Sequence, residues 1–189
     1  NNDAALDLIM GIRYSDDSSF EAANYPMGYY GGQSGVNPSH NLAEAFDLLD
    51  GTQFDYSQHK DIMFDPAQRD PRFAKTLYHY GAHFRETWIY SHVGGPNGQP
   101  TEGASQTSYY LRKFIQEDTD FYSNGSPYPH CWPLFRYAEI YLNYAEALYN
   151  ATGNRDFIGS LAGKSFTMSP LEAVNAVRAR AGVGLVPSS

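Results

Sequence analysis

One cysteine, Cys131, stands among 189 residues. An internal disulfide and a multi-cysteine zinc site are therefore excluded, and Cys131 is expected as a small buried hydrophobe beside Trp132. Positive charge is also scarce: 13 Lys and Arg face 21 Asp and Glu, a net charge of −8. Nucleic acids and anionic membranes are held by basic patches, so the balance argues against both as partners. No apolar run is long enough to cross a bilayer. Asn1, Asn2 and Asp3 lack the basic and apolar regions that open a signal peptide. Charged residues reach only 18% of the chain, against about 25% in an average domain.

Aromatic residues are what the chain has in excess, with 16 Tyr, 11 Phe and 2 Trp making 15% of it. That composition excludes disorder over the whole length. The length itself suits one domain with a sizeable core.

Nine of the 11 prolines lie between Pro26 and Pro133, so loops and short elements are expected there rather than a regular helical array. Residues 4–14 read as a short strand or a frayed helix. Residues 25–35, with Tyr25, Tyr29 and Tyr30 among glycines, read as a flexible loop. Leu42, Ala45, Phe46 and Leu49 follow helical spacing, with Asn41 as N-cap, Glu44 three residues on, and Asp50-Gly51 as the stop. Residues 76–80 and 87–90 read as strands. Residues 94–100 form a loop, and residues 109–114 another extended piece.

The last third is more regular. Residues 134–150 contain no Pro or Gly and read as a helix. Arg136, Glu139, Asn143, Glu146 and Asn150 fall on an arc of roughly 80° at about 100° per residue, and the rest of the circumference is apolar or aromatic. A helix so patterned is expected at the centre of a stack, with its polar stripe as a buried structural network. A second helix, residues 170–181, opens on Ser169 as N-cap, Pro170 at N1 and Glu172 in a capping box, and stops at Gly182. Leu171, Val174, Val177 and Ala181 form its apolar face. Arg178 points into that face and Arg180 away, so Arg178 is expected to reach Glu139 or Glu146. Residues 151–168 read as a loop. The fold class is mainly α: a tetratricopeptide-like helical hairpin, without the consensus repeat, beside a long loop-rich region with a few short strands. The expected division is a loop-rich ligand-binding part, residues 1–132, and the hairpin, residues 133–189.

Little of the polar inventory points to catalysis. His79 and His83 are four apart, but Gly81 intervenes and no Glu follows His79, so the zinc-protease motif fails. No metal or cofactor is expected. Asp16-Asp17, Asp47 with Asp50, and Glu117-Asp118 with Asp120 could be drawn as acid–base pairs, yet neighbours on polar segments are usually solvated loops and caps. No G-x-S-x-G and no phosphate-loop spacing occurs. Two tripeptides, at Asn124 and Asn150, have the sequon form. The aromatic surplus is the stronger signal. A flat ring suits the C–H-rich face of a sugar, with amides or acids nearby for its hydroxyls. Tyr25, Tyr29, Tyr30 and Trp88 (beside Tyr90) are the candidate rings, with Asn24 and Gln33 as hydroxyl partners, although most rings of this region are expected to pin it together.

The stretch Arg136-Tyr137-Ala138-Glu139-Ile140-Tyr141-Leu142-Asn143-Tyr144-Ala145-Glu146-Ala147-Leu148, followed by Ala173-Val174-Asn175-Ala176-Val177-Arg178-Ala179-Arg180-Ala181-Gly182, closely resembles the paired helix motifs of the SusD/RagB family. Asn41-Leu42 through Phe46 to Asp50-Gly51, Asp70-Pro71-Arg72-Phe73 and Tyr109-Tyr110-Leu111-Arg112-Lys113-Phe114 resemble its landmarks in the same order. The resemblance implies a superhelix of tetratricopeptide-like hairpins with a loop-rich ligand region. It also implies a non-catalytic, glycan-binding lipoprotein on the outer-membrane surface, acting as a lid over a SusC-like TonB-dependent transporter and capturing oligosaccharide or polysaccharide. Family members are longer, so the chain is expected to be an internal-to-C-terminal fragment whose lipid anchor lies outside it. Two other classes stay open: a glycoside hydrolase or related carbohydrate-active enzyme, and a tetratricopeptide-like scaffold for a protein partner.

Overall fold

Helix caps set most of the short elements. The computed structural model describes residues 7–14, 18–119 and 129–188. In chain order they form β1 (Leu8–Arg13), α1 (Ser19–Asn24), α2 (His40–Glu44), α3 (Tyr56–His59) and α4 (Pro71–Thr76). Then come β2 (Leu77–Tyr78), β3 (His83–Phe84), β4 (Thr87–Trp88), β5 (Tyr110–Leu111) and β6 (Cys131–Arg136). The chain ends with α5 (Tyr137–Thr152), β7 (Gly159–Leu161), β8 (Lys164–Phe166) and α6 (Pro170–Ala181). Two compact units result: Tyr14–His130, and Asn1–Arg13 together with Cys131–Ser189. Asp16, Asp17, Asp120 and the sequon at Asn124 lie outside the described residues. No described helix is long and apolar enough to cross a membrane.

In the unit Tyr14–His130 the helices are too short to hold themselves. Ser39 caps α2, Asp55 caps α3, and Asp70 caps α4 with Pro71 at its first position. The expected helix around residues 42–49 is therefore shorter and begins earlier, because Ser39 rather than Asn41 accepts the Leu42 amide at 3.2 Å. Arg69 ends it. This side chain is 1% exposed, and its guanidinium donates to the carbonyls of Ala43 (2.6 Å), Phe46 (3.0 Å) and Met63 (2.8 Å). A longer α2 would use the Ala43 carbonyl for its own ladder. Instead residues 45–49 leave the helix, and Leu48 bridges to Arg69.

Two buried clusters form the core of this unit. One gathers Ala43, Phe73, Leu77 and Tyr109, the other Tyr25, Tyr78, Ala82, Phe84, Ile89 and Tyr110. The antiparallel β2–β5 pair divides them. Successive strand residues point to opposite faces, so Leu77 and Tyr109 enter the first cluster while Tyr78 and Tyr110 enter the second. The extended pieces expected at residues 76–80, 87–90 and 109–114 are thus present as two-residue strands.

In the other unit β1 pairs antiparallel with β6, which fixes residues 8–13 as a strand and takes Leu134, Phe135 and Arg136 out of the expected helix. Cys131 is half-buried there. Helix α5 starts at Tyr137 and ends at Gly153 in the left-handed region, φ 64°. Helix α6 carries the complete capping box of Ser169 and Glu172, Pro170 in its first turn, and Gly182 at its end. Residues 151–168 are not a plain loop: β7 and β8 pair as a hairpin across Ala162 and Gly163, whose positive φ values of 48° and 74° suit a two-residue turn.

The expected Arg178 pair with Glu139 or Glu146 does not form. The Arg178 Nε donates to the Gly184 carbonyl at 2.8 Å, closing the end of α6. Glu139, Asn143 and Glu146 are exposed, so the polar stripe is a surface and not a buried network. Arg136 bonds Asp7 instead, and Arg180, read as pointing away, reaches the same carboxylate at 3.0 Å. The hydrogen bond from Arg136 holds the Asp7 carboxyl below its ordinary value.

Two predictions concern the Tyr14–His130 unit. Replacing Arg69 with Met leaves three carbonyls without a donor and is expected to cost about 3 kcal/mol or more in denaturant unfolding. Lys at this position should not restore stability, because an ammonium cannot match the planar fork between two rings. His79 is buried, and burial lowers its pKa from the ordinary histidine value of 6.5. The unfolded chain then binds the proton more readily, so its stabilisation is complete above about pH 6.5 and declines as pH falls toward the folded value. His79→Phe, which keeps the ring, should flatten this part of the fall in melting temperature between neutral and mildly acidic pH.

Candidate functional site

The residues proposed from sequence as ligand contacts separate by burial. Tyr25 is 1% exposed, with its hydroxyl 2.8 Å from the carbonyls of both Gln116 and Thr119. Burial raises its pKa to about 12. Tyr25 is therefore a core anchor with no ring face for a ligand. Asn24 is buried as well and donates to the Phe20 carbonyl at 2.8 Å. Tyr29 is half-buried, its ring set edge-on to Phe84 at 4.6 Å. Tyr30 is 80% exposed, Gln33 is exposed, and Trp88 is 53% exposed.

The loop that carries Tyr29 and Tyr30 is held in place. The buried Asn97 donates to the Met27 carbonyl and accepts from the Tyr90 amide, each at 2.8 Å. At Gly28, where φ is +85°, a Cβ would lie 2.3 Å from the Pro96 carbonyl oxygen. Only glycine allows that approach. The Tyr110 hydroxyl donates to the Asn97 carbonyl and ties Asn97 itself to the core.

Around Trp88 a wider aromatic surface appears. His83 and Trp88 are cross-strand partners in the β3–β4 hairpin, their rings edge-to-face at 5.0 Å. Ile89 is buried, whereas Trp88 and Tyr90 on either side of it are exposed, the alternation of an extended segment. Tyr80, 40% exposed, meets Tyr90 at 6.0 Å and His92 at 5.5 Å. Sequence reasoning found Trp88 and noted Tyr90, but missed Tyr80, His83 and His92. No alternation of polar and apolar residues marks this face in the sequence, since Trp88, Ile89 and Tyr90 are all apolar or aromatic.

A continuous ring series backs this surface. Arg69 lies 3.9 Å from the Phe54 centroid and 4.4 Å from that of Phe73. Phe73 stacks with His79 at 5.2 Å, His79 with Phe64 at 6.0 Å, and Phe64 meets Tyr80 at 6.1 Å. His79 is thereby a packing residue that bonds the Tyr80 carbonyl at 2.8 Å, while His83 sits by Trp88. Among the described residues no group of three or more His, Cys, Asp or Glu could hold a metal.

Two of the carboxylates considered for acid–base work hold structure: Asp50 accepts the Thr52 amide at 2.9 Å, and Glu117 accepts the Tyr78 hydroxyl at 2.6 Å with Arg112 at 3.4 Å. In the other unit, Tyr137, Ile140, Tyr141 and Tyr144 of α5 line a groove of about 610 Å³ with residues 164–168. The Tyr144 hydroxyl is occupied by the Met168 carbonyl, which leaves this groove mainly apolar.

The comparisons with known proteins fall on the same architecture. A SusD-like protein from Bacteroides fragilis superposes on all of this chain with a TM-score of 0.71 at 24% identity, the chain spanning 38% of its length. A SusD-like carbohydrate-binding protein from the same organism matches 97% of the chain with a TM-score of 0.66 at 29% identity, over 35% of its own length. No curated protein matches the chain. The SusD family model matches residues 8–189, and with the shared fold this places the chain in the SusD family.

Proposed function

We propose that the chain is part of a non-catalytic glycan-binding protein, and that the exposed rings of the Tyr14–His130 unit receive the sugar. The observation that carries this reading is the set of Trp88, Tyr90 and Tyr80, partly exposed on and beside the β3–β4 hairpin and backed at Tyr80 by the ring series. Aromatic faces left open to water at this density suit the apolar face of a pyranose. The carbohydrate-binding relative supports the same class of ligand. Tyr30, on the loop tied down by Asn97, and Gln33 are secondary contacts in this proposal. The wider setting we propose, which family membership supports, is attachment at the extracellular face of the outer membrane and delivery of oligosaccharide to a SusC-like TonB-dependent transporter. The scaffold alternative would use the apolar groove along α5 rather than the Trp88 surface.

A carbohydrate array probed with the chain, followed by titration of the best glycan, tests the reading. Trp88→Ala with Tyr90→Ala should weaken binding by about fivefold or more, two stacking contacts at roughly 0.5–1.5 kcal/mol each. The melting temperature should stay near that of the parent, since both side chains face solvent. Undiminished binding by a folded double variant would refute this location, and sugar turnover would refute the non-catalytic reading.

A further inference from the structure

The net charge of the protein is not shared between its two units. Tyr14–His130 holds 7 of the 13 basic residues and 15 of the 21 acidic ones, a net −8, whereas the other unit holds six of each sign. The four arginines of Tyr14–His130 are engaged by carbonyls, rings or carboxylates, Arg72 while still exposed, whereas Lys60, Lys75 and Lys113 are exposed. Arg69 is enclosed by carbonyls and rings, Arg72 is engaged by Asp70, and Arg112 stands 3.4 Å from Glu117.

The tip of the Trp88 hairpin repeats this arrangement. Phe84 and Thr87 are paired, so Arg85 and Glu86 form the turn. Arg85, at φ 52°, directs its guanidinium over the Tyr25 ring at 6.0 Å and is half-buried. Glu86 is exposed, two residues from Trp88. The cation of the turn faces the core while its anion is left beside the most accessible ring of the hairpin.

From this we infer that the aromatic surface selects by charge: it accepts neutral saccharides and repels those bearing uronic acids or sulfates, with Glu86 as the nearest discriminating residue. This inference rests on the glycan-binding reading above. A carboxylate on a bound sugar about 7 Å from Glu86 would lose roughly threefold in affinity in water. The net charge of −8 on the whole unit adds to that, since a net charge lowers the local concentration of like-charged ligands.

The test starts from the best neutral glycan on an array that also carries uronate and sulfated glycans. That glycan is compared with its C6-oxidised form, in which primary hydroxyls have become carboxylates, by titration calorimetry at low salt and at about 1 M salt, where the screening length is only ~3 Å. The oxidised form should bind at least about tenfold more weakly at low salt, and high salt should close most of the gap. Glu86→Gln should narrow the neutral-to-oxidised ratio about threefold. A uronate or sulfated glycan as the tightest ligand would overturn the inference while leaving glycan binding intact. A gap indifferent to salt would overturn it too, since lost hydroxyl contacts rather than charge would then explain the difference. Failure to retain any glycan would instead remove the glycan-binding reading, and this inference with it.

Discussion

Arg69 places a guanidinium where water does not reach it, and no carboxylate of the described residues stands within ion-pair distance to neutralise it. A buried charge without a partner would be too costly to survive. Three backbone carbonyls and two aromatic faces take the partner's place, while Asp70, Asp47 and Glu44 act on it from farther away. Burial still lowers its pKa, but from a value so high that it remains charged. Each contact imposes a position: α2 must end where Ala43 and Phe46 turn their carbonyls inward, and Phe54 and Phe73 must lie over the guanidinium. Phe73 then fixes His79, His79 fixes Phe64, and Phe64 supports Tyr80. The polar centre of the unit and its exposed aromatic surface are two ends of one stack.

That stack explains how a loop-rich segment can present rings without burying or losing them. Two-residue strands provide little hydrogen bonding, so order comes from side chains that fill both clusters, and from hydroxyls that bond distant carbonyls. Tyr25 belongs to this inner set. Trp88, Tyr90 and Tyr30 do not, because alternation about Ile89 and the pinning of the loop by Asn97 turn them outward.

What was legible in the sequence was local. Ser169, Pro170, Glu172 and Gly182 each act within one helical turn, and α6 runs between them as the pattern required. The pairing of residues 8–13 with 131–136 joins segments over a hundred residues apart, and no local pattern announces it. Tyr25 shows the same limit. It sits beside Pro26 and Gly28 in a stretch that reads as loop, yet the carbonyls that bury its hydroxyl belong to Gln116 and Thr119. Trp88 was legible as a candidate because it is a large ring beside Tyr90 in a chain rich in aromatics. Tyr80 was not, because its place depends on the stack beneath it.

The same distinction accounts for the helical hairpin. Periodicity located the polar arc of α5 correctly, but it could not say which side α6 would cover. Helix α5 buries Ala145 and Leu148, leaving Glu139, Asn143 and Glu146 in solvent. Arg178 therefore meets no acid from α5 and closes its own helix on the Gly184 carbonyl, a favourable use of a cation at a helix C-terminus. The acid that matters comes from the strand side. Asp7 precedes β1, and the β1–β6 ladder sets it beside Arg136 at the start of α5, where Arg180 also reaches it. One carboxylate between two guanidiniums ties the strand pair to both helices, a link that depends on β-sheet register and so stays hidden from helical periodicity.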